Sequence, residues 1–101
     1  MAYQVKVDLS AETELDEAIA YYEEKQAGLG IAFFLQFYDT VALLKDKPKI
    51  YPQIYKTFRR ALLKKFLYAI YYTIEEERKE VVVLAVWHTS QNPDKLNDRL
   101  I

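Results

Sequence analysis

The hydrophobic period of this chain changes from helical to extended near Pro48, and that change limits the fold more than any other feature. Before it, apolar residues recur at three- and four-residue spacing, as on one side of a helix; after it, they alternate or run continuously, as in strands. One further alternating run, Tyr3-Gln4-Val5-Lys6-Val7, precedes the helical part. Helices and strands grouped in blocks are incompatible with a βαβ repeat and predict an α+β domain.

The spacing predicts a strand over residues 3–7, with Tyr3, Val5 and Val7 on its buried face. Ser10 is the candidate N-cap of a helix over about 11–26, with Glu12 and Glu14 favourably placed in its first turn. Its core face is Leu15, Ala18, Ile19 and Tyr22. Gly28 and Gly30, the only glycines, end that helix. A second helix follows, with Ile31, Phe34, Leu35, Tyr38, Val41, Ala42 and Leu44 as its apolar face, and stops before Pro48. So short a link makes the pair an antiparallel hairpin. Pro48 and Pro52 bracket a rigid loop. Three strands are expected over 54–65, 66–75 and 81–88, the last covered on both faces because Val81-Val82-Val83-Leu84-Ala85-Val86-Trp87 is apolar throughout. The charged stretch 75–80 lacks Asn-Gly, which predicts a longer, mobile loop. The tail 94–101 has room for one or two helical turns. The resulting order is β-α-α-β-β-β: an N-terminal strand, a helical hairpin and a three-stranded antiparallel meander, with the helices on one face of the sheet. A length of 101 residues predicts a single domain over 1–101.

The net charge of −1 conceals a segregation. Residues 1–44 carry two bases against eight acids, whereas 45–65 carry eight bases (Lys45, Lys47, Lys49, Lys56, Arg59, Arg60, Lys64 and Lys65) against Asp46. A basic block in an acidic chain is either a solvated surface or a site for an anionic partner. With no cysteine there is no disulfide, thiolate metal site or cysteine nucleophile. The N-terminal residues lack an apolar signal core, and no apolar run reaches the roughly 20 residues that span a bilayer. A cytoplasmic protein without membrane association is expected. Glu12, Asp16, Glu23 and Glu24 have no second ligand group in register and read as a solvated helix face, so neither metal nor cofactor is expected.

Five local patterns, in order, resemble the RelE/ParE toxin superfamily of type II toxin–antitoxin systems. Ala20-Tyr21-Tyr22-Glu23 closes the first helix and Gly28-Leu29-Gly30-Ile31-Ala32-Phe33-Phe34 opens the second. Lys47-Pro48 and Tyr51-Pro52 frame the loop. Arg59-Arg60-Ala61-Leu62-Leu63-Lys64-Lys65-Phe66-Leu67-Tyr68-Ala69-Ile70-Tyr71-Tyr72 and Val86-Trp87-His88-Thr89-Ser90-Gln91-Asn92-Pro93 fill the β region. The resemblance covers roughly residues 5–95. It implies a toxin that forms an oligomer with, and is neutralised by, a cognate antitoxin. RelE-like members cleave mRNA in the ribosome. ParE-like members inhibit DNA gyrase without catalytic residues of their own.

RNA cleavage requires activation of a 2′-hydroxyl, stabilisation of an anionic phosphorane and protonation of the leaving oxygen. The candidates here are Arg59, Arg60, Lys64, Lys65 and His88. The resemblance departs where that chemistry sits. Tyr68-Ala69-Ile70 lacks the arginine of the ribonucleases, and His88-Thr89-Ser90-Gln91 has Gln91 where many members have arginine. The tail contains no tyrosine. Glutamine cannot neutralise phosphate as a bidentate guanidinium does. The ParE-like branch is therefore favoured, with a ribosome-dependent mRNA endonuclease and a non-toxic binding module of the same family as alternatives. Arg59 and Arg60, adjacent in a strand, must point to opposite faces. Candidate partner-binding residues are Arg59, Arg60, Lys56, Lys64, Lys65, Tyr51 and Tyr55.

Overall fold

The structure, a computed structural model, describes residues 2–99. Its elements are β1 (Gln4–Val7), α1 (Leu9–Lys25), α2 (Leu29–Asp46), β2 (Gln53–Tyr55), β3 (Phe58–Leu62), β4 (Tyr68–Glu75), β5 (Glu80–His88) and a C-terminal 3-10 helix (Pro93–Arg99). The sheet order is β1-β5-β4-β3-β2. All neighbours are antiparallel except β1, which runs parallel to β5. The α+β architecture and the helical hairpin on one face follow the expectation, with one additional strand. The run 54–65 is broken at Lys56, whose φ is +52°, into β2 and β3. Lys64, Lys65 and Phe66, expected in strands, lie in the bend between β3 and β4.

Helix α1 starts directly after the strand. The Asp8 N–H donates to Val83 O at 2.9 Å and Asp8 O accepts from the Glu12 N–H, so Asp8 and not Ser10 is the N-cap. Ala11, Leu15 and Ala18 are buried against the sheet. In α2 the buried residues are Gly30, Phe33, Phe37 and Leu44, whereas Ile31, Phe34, Leu35, Tyr38 and Ala42 are exposed. The helix is apolar nearly all round, and the stripe turned inward is the neighbour of the expected one. The inward stripe carries the small residue. A Cβ on Gly30 would lie 2.8 Å from Ile19 O and 2.9 Å from Glu23 Oε1, so the backbones approach there as only glycine permits. The Glu23 carboxylate accepts the N–H groups of Gly28 at 3.1 Å and Gly30 at 3.0 Å, satisfying two orphan donors of α2. Phe33 then enters an aromatic cluster with Tyr22, Phe66 and Tyr68.

The centre of the sheet, β4 and β5, is buried on both faces. Ile70 and Tyr72 of β4 lie under the helices; Ala69 and Tyr71 lie on the other face with Phe58, Trp87 and Leu96 of the 3-10 helix. In β5, Tyr71 pairs with Ala85 and Tyr72 with Val83, leaving Leu84 as a bulge. The extra residue shifts the alternation by one: Val81, Val83 and Val86 face the helices, and Ala85 and Trp87 face the 3-10 helix. Between β4 and β5, Glu75 pairs with Glu80, so the connection is four residues and not a long loop. It is closed by the Lys79 N–H donating to Glu76 O at 3.2 Å. The Tyr3 hydroxyl donates to Glu76 at 2.7 Å and Lys49 pairs with Glu76 at 2.9 Å. These contacts tie the turn to β1 and to the Pro48–Pro52 loop. The 3-10 helix realises the turns expected in the tail; residues 100 and 101 lie outside the described residues.

Gly30→Ala should destabilise the protein by about 1–3 kcal/mol, because it meets backbone and cannot relax. Glu23→Ala should cost about 1 kcal/mol through the two freed N–H groups. Urea unfolding followed by Trp87 fluorescence measures both. A Gly30→Ala change below about 0.5 kcal/mol would show that the helices separate freely there.

Candidate functional site

The basic block does not fold into one patch. Arg59 pairs in register with Tyr72 and faces the helices, while Arg60 pairs with Tyr71 and faces the opposite side. Arg59 donates to Tyr51 O at 2.6 Å and Lys49 O at 3.3 Å. The Tyr72 hydroxyl donates to Pro48 O at 2.6 Å. The loop between Pro48 and Pro52 is therefore held by side chains from β3 and β4, and Arg59 is engaged in holding it. Burial pushes the Tyr72 hydroxyl up to about 12, opposed by the nearby Arg59 charge.

Lys56 donates to Asn97 Oδ1 at 2.8 Å and lies over the Tyr55 ring, and the Tyr55 hydroxyl accepts from the Asn97 amide. These two expected partner-binding residues secure the 3-10 helix. Lys64 and Lys65 are exposed in the bend, whose backbone is held by Lys65 N–H donating to Gln36 Oε1 at 3.1 Å. A groove of about 300 Å³ between α2 and β3 brings together Tyr51, Leu62 and Lys64 with Gln36, Asp39, Thr40 and Leu43. Tyr51 and Tyr55 are half-buried. Beyond β2, which reaches only as far as Arg59, the outer edge of Ala61–Leu62 has no partner strand among the described residues.

His88 lies elsewhere, at the end of β5, in a groove with Glu14, Glu17, Tyr21, Tyr68 and Trp87. Its ring meets Tyr68 edge-on at 5.5 Å. The Ser90 N–H donates to His88 Nδ1 at 3.1 Å, so that nitrogen presents a lone pair and a neutral ring carries its proton on Nε2. Neither arginine of β3 lines this groove. Among the described residues no three histidine, aspartate or glutamate side chains cluster as a metal site requires.

Sequence reasoning missed Glu14. Its Oε1 accepts the Val86 N–H at 3.0 Å; its Oε2 accepts from Trp87 Nε1 at 2.7 Å and from the Arg99 guanidinium. Arg99 also donates to Leu84 O at 2.6 Å and lies over the Trp87 ring. Because β1 is short, this carboxylate and guanidinium occupy the β5 edge where a strand would continue. The available signal was the single tryptophan, whose N–H needs an acceptor when buried.

A family model described as the ParE toxin of the type II toxin–antitoxin system, parDE, matches residues 5–93. A search of curated sequences returns no match. Among solved structures, the chromosomal ParDE toxin–antitoxin system of P. aeruginosa is similar at 14% identity and a TM-score of 0.74, covering 86% of this chain and 96% of that one. A mutant of the E. coli toxin RelE in the free state is similar at 17% identity and a TM-score of 0.73 over 100% of both chains. The RelBE2 toxin–antitoxin complex of Mycobacterium tuberculosis is similar at 21% identity and a TM-score of 0.59, covering 87% and 99%. At these identities the structural likeness concerns the fold.

Two outcomes follow for the side chains that fasten the loop and the tail. Spectrophotometric titration should show one tyrosine ionising only near pH 12, absent in Tyr72→Phe. A folded pKa above the unfolded value of 10.0 stabilises the native state fully below pH 10. That contribution disappears as pH rises from about 10 through 12. Glu14→Ala should cost about 2–4 kcal/mol in chemical unfolding, since it strands a partly buried guanidinium and two N–H donors. A loss within 0.5 kcal/mol would mean that water replaces the carboxylate freely.

Proposed function

This chain belongs to the ParE toxin family of type II toxin–antitoxin systems, and from that premise we propose that it is a toxin that acts by binding a protein target, DNA gyrase, and is neutralised by a cognate antitoxin in the cytoplasm. The observation that carries this reading is the dispersal of the groups a ribonuclease would need. Arg59 is spent on loop carbonyls, Arg60 lies on the other face, and His88 sits among carboxylates and rings. A phosphorane needs cations converging on one point. Gln91 beside His88 adds none.

The antitoxin surface is the apolar stripe of α2 together with the open edge of β3. Ile31, Leu35 and Tyr38 are 59%, 53% and 59% exposed, and Leu62 is 51% exposed. A stripe of this kind suits the apolar face of a partner helix, and an unpaired edge suits an added strand. The groove between α2 and β3 joins the two, and Lys64 at its rim suits an acidic residue of the partner. No helix among the described residues is long and apolar enough to cross a membrane.

Controlled expression of the chain alone in bacteria tests the mode of action. The expected result is growth arrest with lost supercoiling or broken DNA and intact transcripts. His88→Ala should change toxicity by less than a few fold. Codon-phased mRNA cuts that fall by about 10²-fold or more in His88→Ala would establish the endonuclease instead. Normal growth would identify a non-toxic binding module. Leu35→Glu should leave toxicity intact and weaken neutralisation by about 10- to 100-fold. Unchanged neutralisation would move the antitoxin off α2.

A further inference from the structure

Where α1 passes the start of β4 and the end of β5, a groove of about 350 Å³ opens to solvent. One wall is a row on α1: Glu14, Glu17 and Tyr21, spaced three and four apart and so on one side of the helix. Tyr68, Val86, Trp87, His88 and Gln91 line the rest. Among the described residues no lysine or arginine lines its middle, between Glu14 and Tyr21. Its charged groups are carboxylates and most of the remaining surface is aromatic ring, with His88 Nδ1 already taken by Ser90. Burial and the neighbouring Tyr22, Tyr21 and Glu17 hold the Tyr68 hydroxyl in its neutral form.

The chain shows what such walls accept. At one end the Arg99 guanidinium lies 5.2 Å from the centre of the Trp87 ring and pairs with Glu14. At the other, the Lys25 ammonium lies 5.0 Å from the centre of the Tyr21 ring. Each is a cation over a ring, the attraction of positive charge for the negative face of an aromatic. Between them Glu17 makes no hydrogen bond or ion pair among the described residues. The middle of the groove thus has the chemistry of its two ends and lacks the cation.

We propose that this groove receives an arginine side chain of a polypeptide partner, its guanidinium paired with Glu17 between the rings of Tyr21 and Tyr68. Arginine suits it better than lysine: a planar guanidinium stacks on aromatic faces and forks onto a carboxylate, and it is shed from water more readily than an ammonium. The site is separate from the α2 stripe and does not depend on the toxin reading.

The test is a titration of the isotope-labelled full chain with the blocked tripeptide Gly-Arg-Gly, followed by the amide and indole N–H signals. The arginine tripeptide should produce saturable shifts at the Trp87 indole and around His88. Its citrulline counterpart, equal in shape and uncharged, should bind at least about fivefold more weakly. Glu17→Gln, at an exposed position without partners, should weaken binding about three- to tenfold while preserving the spectrum of the fold. Tyr68→Phe, which keeps the ring, should stay within about twofold. Equal affinity for citrulline, indifference to Glu17→Gln, or shifts confined to other surfaces would overturn the proposal.

Discussion

Strand β4 has almost no face left for water: Ile70 and Tyr72 lie under the helical hairpin, and Ala69 and Tyr71 lie under the C-terminal 3-10 helix. Burial on both sides is what a chain of this size needs, since a single layer would leave one face of an apolar sheet in solvent. The other features follow from it. The bulge at Leu84 lets β5 serve the helices with Val81 and Val83 and the second layer with Ala85 and Trp87. Without that one-residue shift, all four would point the same way.

The two layers are unequal. The helical side interlocks Phe33, Phe37, Leu44 and the aromatic cluster around Tyr22. The other side rests on Leu96 as its one buried contribution from the 3-10 helix. It also contains the Tyr71 hydroxyl, buried without a hydrogen-bond partner among the described residues. Polar fastenings offset this thinness. Arg99 reaches Glu14 and Leu84, and Lys56 and Tyr55 reach Asn97. Arg59 does the same for the loop after α2. Of the basic block, Lys49, Lys56 and Arg59 are engaged in fastening, whereas the side chains of Arg60, Lys64 and Lys65 make no hydrogen bond or ion pair among the described residues. Also left open are an apolar stripe on α2, a strand edge and a carboxylate–aromatic groove.

The order of elements and the two-sided burial of β5 were legible in the sequence because period and composition are local properties. The opposite facing of Arg59 and Arg60 was legible for the same reason: adjacent residues in a strand alternate, whatever the fold. The inward stripe of α2 was not. That helix offers two apolar stripes, and periodicity cannot rank them. The choice came from Gly30, which alone lets α2 approach Ile19 of α1, and from Phe33 meeting Phe66 and Tyr68 more than thirty residues away. Similarly, nothing near Glu14 announces its partners Val86, Trp87 and Arg99, which are 72 to 85 positions distant. By itself the sequence determined the succession of helical and extended segments, short of the break at Lys56 and the bend at Lys64–Phe66, and the family they resemble. Only the tertiary structure decided which charges are spent and which surfaces stay open, because hydrogen bonds and close packing depend on distances that chain separation does not encode.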